Sequence, residues 1–157
     1  MTTKAHEAEP RYFSSLRLGE KHVSAGRTVT EADIVLFAGL SGDFNSLHTD
    51  DEWVRANTGY RRRIAHGLLV LAMSSGLRTP GLDQLHVLGF LNTERAMVAP
   101  TYPGDTLYVT QMITALRPSR SRPGAGIVTI EVETATQDGT VVQRGTDVLL
   151  VGGKDES

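Results

Sequence analysis

Gly67-Leu68-Leu69-Val70-Leu71-Ala72-Met73-Ser74-Ser75-Gly76-Leu77 is the stretch on which the fold turns. From Leu68 to Leu77 it holds no charged residue and is apolar on nearly every face. A helix of that kind is expected to be buried on all sides. It ends around Arg78-Thr79-Pro80-Gly81, and a β-rich half follows. Leu85 to Asn92, Asp105 to Leu116, Ile127 to Gln137 and Thr140 to Val151 each read as strands. Ile127-Val128-Thr129-Ile130-Glu131-Val132-Glu133 alternates apolar and polar residues, the period of a half-exposed strand. Asp138-Gly139 between the last two runs signals a tight hairpin. A sheet that curls around one such helix buries the helix and its own concave face together. The expected class is therefore α+β, a curved antiparallel sheet wrapped around a central helix. The order of strands does not follow from pattern alone.

Upstream of that helix, Thr30-Glu31-Ala32-Asp33 reads as a helix start, with Thr30 as N-cap and acids in the first turn. Ile34, Val35, Phe37, Ala38 and Leu40 supply its apolar face, and Gly42 ends it. Thr49-Asp50-Asp51-Glu52 repeats the pattern: Thr49 caps, Glu52 completes a capping box, and a short helix stops near Gly59. Residues 1–10 and Gly152 to Ser157 are polar and without periodicity, so fraying is expected there. The 157 residues form one expected domain, 1–157, with an ordered core of about 12–151.

Composition narrows the function. An apolar fraction of 39% and a charged fraction of 22% fit a globular protein able to bury an ordinary core. A formal net charge of −2 gives no general affinity for nucleic acid. The absence of cysteine removes disulfides, thiolate chemistry and sulfur-based zinc clusters. Met1 to Pro10 lacks an apolar signal-peptide core, and no apolar run approaches the ~20 residues of a membrane span. The expectation is a cytoplasmic protein with no membrane partner.

The chemistry is concentrated in Ser41-Gly42-Asp43-Phe44-Asn45-Ser46-Leu47-His48. A carboxylate, a carboxamide and an imidazole follow a glycine closely enough for one short loop to turn all three toward a point. Asp and His are readily tuned to trade protons near neutral pH, and Asn can orient either of them or a water. Further on, Arg63-Ile64-Ala65-His66-Gly67 leads into the apolar helix. A helix start offers free N–H groups to a developing negative charge. An Asp after Gly is by itself an ordinary turn residue. It is Asp43, Asn45 and His48 together, with Gly67 downstream, that favour catalysis. His66 reads either as a second base or as a hydrogen-bonding residue that fixes the turn. Arg61-Arg62-Arg63 reads either as a solvated face or as a contact for phosphates, and Arg117, Arg120 and Arg122 share that ambiguity. His86 reads as a core or interface histidine, His6 and His22 as solvated, and Trp53 and Phe37 as packing residues.

These residues make the chain similar, over roughly 12–151, to the MaoC-like family of hotdog-fold (R)-specific enoyl-CoA hydratases and dehydratases. The family's Gly-Asp-x-Asn-Pro-Leu-His loop is matched by Gly42-Asp43-Phe44-Asn45-Ser46-Leu47-His48, with Ser46 where proline is usual. Its Ile-Ala-His-Gly-Leu helix start is matched by Ile64-Ala65-His66-Gly67-Leu68, and its Pro-x-x-x-Gly-Asp lead into a long strand by Pro100 to Asp105. The resemblance implies a hotdog fold and reversible syn hydration of a trans-2-enoyl thioester to a (3R)-3-hydroxyacyl thioester. It implies that Asp43 and His48 hold the water and that the Gly67 N–H stabilises the thioester oxygen. Asn45, Ser75, Arg63 and His66 are then the expected substrate-contacting residues. No metal or redox cofactor is implied; coenzyme A, or a phosphopantetheine arm on an acyl-carrier protein, is part of the substrate. A sheet edge left open by one unit, with the resemblance, points to a homodimer or higher homo-oligomer in which Leu85 to Asn92 face a partner. The alternatives are a dehydratase for carrier-bound or branched acyl thioesters in a specialised pathway, a hotdog thioesterase, and a non-catalytic binding subunit.

Overall fold

The computed structural model describes residues 9–154. A 3-10 turn, Phe13–Ser15, precedes two short strands, β1 (Lys21–Val23) and β2 (Arg27–Thr28). Four helices follow: α1 (Glu31–Ser41), α2 (Ser46–Thr49), α3 (Asp51–Asn57) and α4 (Gly67–Gly76). Four long strands complete the fold: β3 (Val87–Met97), β4 (Thr106–Pro118), β5 (Gly126–Ala135) and β6 (Val141–Val151). Every strand pair is antiparallel, in the order β1-β4-β5-β6-β3 with β2 also on β4. The expected α+β class holds.

Helix α1 forms where its sequence signals place it. The Thr30 hydroxyl accepts from the Asp33 N–H, and the Asp33 carboxylate accepts from the Thr30 N–H at 2.8 Å, a reciprocal capping box. Gly42 ends the helix in the left-handed region at φ +77°, which a side chain would resist. The next segment departs from expectation. It is two helices, and the cap of α3 is Asp50, whose carboxylate accepts from the N–H groups of Glu52 and Trp53, each at 3.0 Å. Thr49 cannot serve, because its hydroxyl donates back to the Phe44 and Asn45 carbonyls. Glu52 pairs with Arg55 instead of closing a capping box.

Helix α4 packs on the sheet through Leu69, Val70 and Met73, which join Val29, Ile34, Ala65, Leu107 and Val142 in one core cluster. A second cluster unites Val109, Ile113, Val128, Ile130, Val132, Leu149 and Val151 beneath Leu16 and Leu82. Full burial of α4 is not realised in the single chain. Leu68 is 60% exposed, and Ala72 and Ser75 also face outward.

Strand β3 runs to Met97, past the expected stop at Asn92. Its polar end is held by a cross-strand network, since Thr93 and Arg95 both bond the Asp147 carboxylate at 2.8 Å. The β5–β6 connection spans residues 136–140 and is no two-residue turn. Asp138 holds it by accepting from the Thr136 hydroxyl and the Thr140 N–H. The C-terminal expectation also needs correction: Gly152 and Gly153 are buried. The Gly152 carbonyl accepts from the Phe13 N–H, and its N–H donates to His86 O. The N-terminal strap thereby lies along the β6 end. His6 and the fraying expected at 1–8 and 155–157 fall outside the described residues.

Candidate active site

The loop after α1 is built by its own short polar side chains. Ser41 Oγ accepts from the Asp43 N–H, Asp43 Oδ1 from the Asn45 N–H, and Asn45 Oδ1 from the Leu47 N–H. Asn45 is thus the N-cap of α2, the turn that carries His48. The His48 N–H donates to Asn45 O at 2.9 Å, and the Ile64 N–H to Leu47 O at 3.1 Å. The two halves of the site are stitched together by backbone.

His48 is buried at 9% exposure. Its Nδ1 lies 2.8 Å from the Ile64 carbonyl, which accepts only, so Nδ1 carries the proton and donates. The lone pair is therefore on Nε2, 3.9 Å from Asp43 Oδ2. That gap is too long for a direct hydrogen bond and suits one oxygen between the two groups. Burial pushes the His48 pKa down, assisted by the nearby His66; the Ile64 carbonyl and Asp43 oppose it. Asp43 is half-exposed, so the dyad has one dry and one solvent-facing member.

His66 completes the group. Its Nε2 donates to the Asp43 carbonyl at 2.9 Å, and its ring stacks on His48 with centroids 3.7 Å apart. One ligand atom from each of Asp43, His48 and His66 lies within 4.8 Å of the others. Phe37 backs the His66 ring at 5.0 Å.

The residue after His66 begins α4. His66 occupies the cap position with extended backbone and makes no side-chain cap bond. The first amides of α4 therefore have no side-chain acceptor, and the helix presents its positive end uncapped. Gly67 and His48 line the same cavity of about 220 Å³, with Tyr60, Val70, Met97, Val142 and Gln143. A Cβ at position 67 would come within 2.9 Å of Met97 Cγ, so glycine is what keeps this approach open. The Gln143 carboxamide donates to Gly67 O at 2.6 Å and pins the helix start to β6.

Residues 15–136 match the model of the MaoC like domain. This chain belongs to the MaoC-like domain family. It is 34% identical over 143 residues to an (R)-specific enoyl-CoA hydratase of Rhodospirillum rubrum, covering 89% of this chain and 91% of that one. A second (R)-specific enoyl-CoA hydratase, from Aeromonas caviae, is 30% identical over 138 residues, covering 86% and 95%. Among solved structures, the monoamine oxidase regulatory protein of Archaeoglobus fulgidus superposes with a TM-score of 0.83 at 31% identity, over 92% of this chain and 95% of that one. A Mycobacterium tuberculosis protein with a double hotdog fold matches with a TM-score of 0.80 at 21% identity, over 94% of this chain and 46% of that one. The sheet and helix of this MaoC-like chain are thus a hotdog fold.

Of the residues singled out in the sequence, the MaoC-like fold brings Asp43, His48, His66 and Gly67 together. Asn45 borders them as the α2 cap. Arg63 is engaged elsewhere: its guanidinium pairs with Glu31 at 2.6 Å, and its N–H donates to Asp51. Ser75 lies two turns along α4, donates to Ala72 O, and lines a separate cavity of about 200 Å³ with Leu77, Leu82, Ile130 and Leu149. Gln143 had no signal in the sequence, where it is one of several polar residues in the first half of a strand, beside Arg144, Thr146 and Asp147. Arg61 stacks over Tyr102 at 4.4 Å, and Arg62 donates to Pro103 O. His22 is half-buried against Glu20 at 3.4 Å rather than fully solvated.

Proposed function

We propose that this chain is a hydro-lyase that adds water reversibly to a trans-2-enoyl-CoA, giving the (3R)-3-hydroxyacyl-CoA. The observation that carries this reading is the pair of proton-transfer atoms, Asp43 Oδ2 and His48 Nε2, 3.9 Å apart beside the uncapped start of α4. The names of the relatives from Rhodospirillum rubrum and Aeromonas caviae agree with it, as does that of a 3-hydroxybutyryl-CoA dehydratase from Methylorubrum extorquens, 32% identical over 71% of this chain.

In this reading one water bridges the dyad. Neutral His48 takes its proton at Nε2 as the oxygen bonds to C3. Electron density moves through the conjugated system to the thioester oxygen, which the Gly67 N–H stabilises at the α4 N-terminus. The dyad then returns the proton to C2 on the same face. The water supplies both the hydroxyl and the proton, so no external donor is consumed. Each step uses only protein groups, and the proposal includes no metal or redox cofactor. Exhaustive treatment with a chelator should therefore leave kcat unchanged.

Among the described residues, strand β3 pairs only with β6 and leaves its outer edge open. Val87, Leu88, Phe90, Leu91 and Met97 along it are exposed. A second copy covering this edge is part of the proposal. No described helix is long and apolar enough to cross a membrane, and a cytoplasmic setting is likewise proposed.

The test is a panel of enoyl-CoA thioesters of graded length and branching, followed by loss of the conjugated absorbance and chiral analysis of product. Absorbance loss with (3R) product and no free thiol supports hydration. Thiol release would replace it with a thioesterase, and turnover only on carrier-protein thioesters would change the carrier. Tight acyl-CoA binding with no turnover would leave a binding subunit.

A further inference from the structure

His66 is more elaborately held than a turn residue requires. Its Nε2 donates to the carbonyl of Asp43 across 23 positions of sequence. Its ring lies flat against His48, with an interplanar angle of 26° and centroids 3.7 Å apart. Phe37 closes its other side, and its Nδ1 is buried with no hydrogen-bond partner. A proton arriving at that Nδ1 would find no acceptor. Two imidazoles in such contact cannot both be charged without strong repulsion.

We propose that His66 is the positioning residue of the Asp43–His48 dyad, acting in two separable ways. Its N–H ties down the backbone of Asp43, and its ring shields His48 from water so that His48 stays an uncharged base. The proposal rests on the hydratase reading for its catalytic consequence, but the geometry and the ionisation of His48 stand apart from any substrate.

The groups facing His48 are few. Asp43 comes from the loop after α1, and His66 from the turn before α4. The walls contributed by α4, β3 and β6 present Gly67, Val70, Met97, Val142 and Gln143, none of them titratable. Tyr60 is the remaining ionisable side chain lining that cavity. Burial, the largest influence, and His66 disfavour the charged form of His48, while the Ile64 carbonyl and Asp43 favour it.

Two variants separate the two actions. His66→Gln can retain a donor at the reach of Nε2 for the Asp43 carbonyl but removes the ring. His66→Phe retains the ring but removes the donor and the second titratable group. The His48 resonances are followed by NMR from about pH 4 to 8, a window that includes the 6.5 of a free imidazole and extends well below it, in both variants and in the wild type. Circular dichroism checks that each is folded. Only His66→Gln uncovers His48, so His48 should titrate at higher pH in it than in His66→Phe, by about half a unit or more. In kinetics, the acidic limb of kcat/KM should move up by the same amount. His66→Phe should lose about tenfold or more in kcat, because the freed Asp43 loop misplaces its carboxylate. His66→Gln should retain more of kcat, with little change in KM in either.

The same His48 titration in both folded variants would overturn the shielding role. Equal kcat in wild type and His66→Phe would overturn the tether. If no enoyl thioester is turned over by the wild type, the hydratase reading fails, while the titration still decides the shielding role.

Discussion

At the scale of single residues, the site depends on which atom of each side chain is committed. His48 gives Nδ1–H to Ile64 O, which leaves Nε2 as the base. His48→Ala and Asp43→Asn should each lower the hydration rate by at least ~10²-fold, the lower range for general acid–base groups. Thermal unfolding should show both variants folded, since Asp43→Asn keeps an Oδ1 acceptor for the Asn45 N–H and His48→Ala leaves the backbone bonds of the loop in place. The pH dependence has a definite sign. Burial lowers the His48 pKa below the 6.5 of a free imidazole, and the base must be uncharged. Activity should therefore persist as pH falls past 6.5 and decline only beneath it, as a kcat/KM profile would reveal. The same shift makes the unfolded chain bind the proton first, so His48 removes stability as pH drops through 6.5. Asp43, Asn45 and His48 were legible because short spacing in a polar loop limits what they can do, and Gly67 because it opens the apolar helix. Gln143 was not, because its bond to Gly67 O spans 76 positions and exists only once the helix lies on β6.

At the scale of elements, local signals were legible where the chain itself supplies the partner. Thr30 and Asp33 cap α1 within one turn, and Gly42 ends it. The α3 start was misplaced by one residue, since Thr49 and Asp50 both suit a cap and only the fold shows Thr49 turned back to Phe44. Strand β3 was cut short because Thr93-Glu94-Arg95 looks like a solvated run. Its polar side chains are satisfied across the sheet by Asp147, a partner the sequence places 52 positions from Arg95. Gly145, opposite Arg95, belongs to this arrangement: a Cβ there would fall 1.8 Å from Glu94 O. The Arg95 and Asp147 side chains are 4% and 11% exposed. Removing one member of such a pair strands a buried charge. Asp147→Ala should therefore destabilise the fold by about 3–5 kcal/mol, read from the urea midpoint at unchanged slope. A loss under about 1 kcal/mol, the range of a surface pair, would mean that Arg95 finds water in the variant.

At the scale of the whole molecule, the chain leaves too much apolar surface open on one side. Among the described residues, the outer edge of β3 has no strand beside it, and Phe90 and Leu91 along it are 57% and 53% exposed. Leu68 of α4, one residue past Gly67, is 60% exposed. Unpaired N–H and C=O groups next to apolar side chains favour strand-to-strand association, and a two-fold axis satisfies both copies at once. This also accounts for the one large error in reading α4 from its sequence. A helix apolar on nearly every face was expected to be buried on all sides, but a single copy can cover only the side toward its sheet. A partner can cover the rest. Sedimentation at micromolar concentration should then give about twice the 17.0 kDa chain mass or a multiple of it. Placing like charges on the edge with Phe90→Lys and Leu91→Glu in separate proteins should weaken self-association of each. Mixing the two should restore it through complementary charge. Activity should follow the assembled fraction, because Met97 at the end of the same strand lines the cavity with Gly67 and any displacement of β3 reaches the thioester side of the site. A wild-type protein that sediments as one chain with full activity would show that the edge is tolerated and the site complete in a monomer.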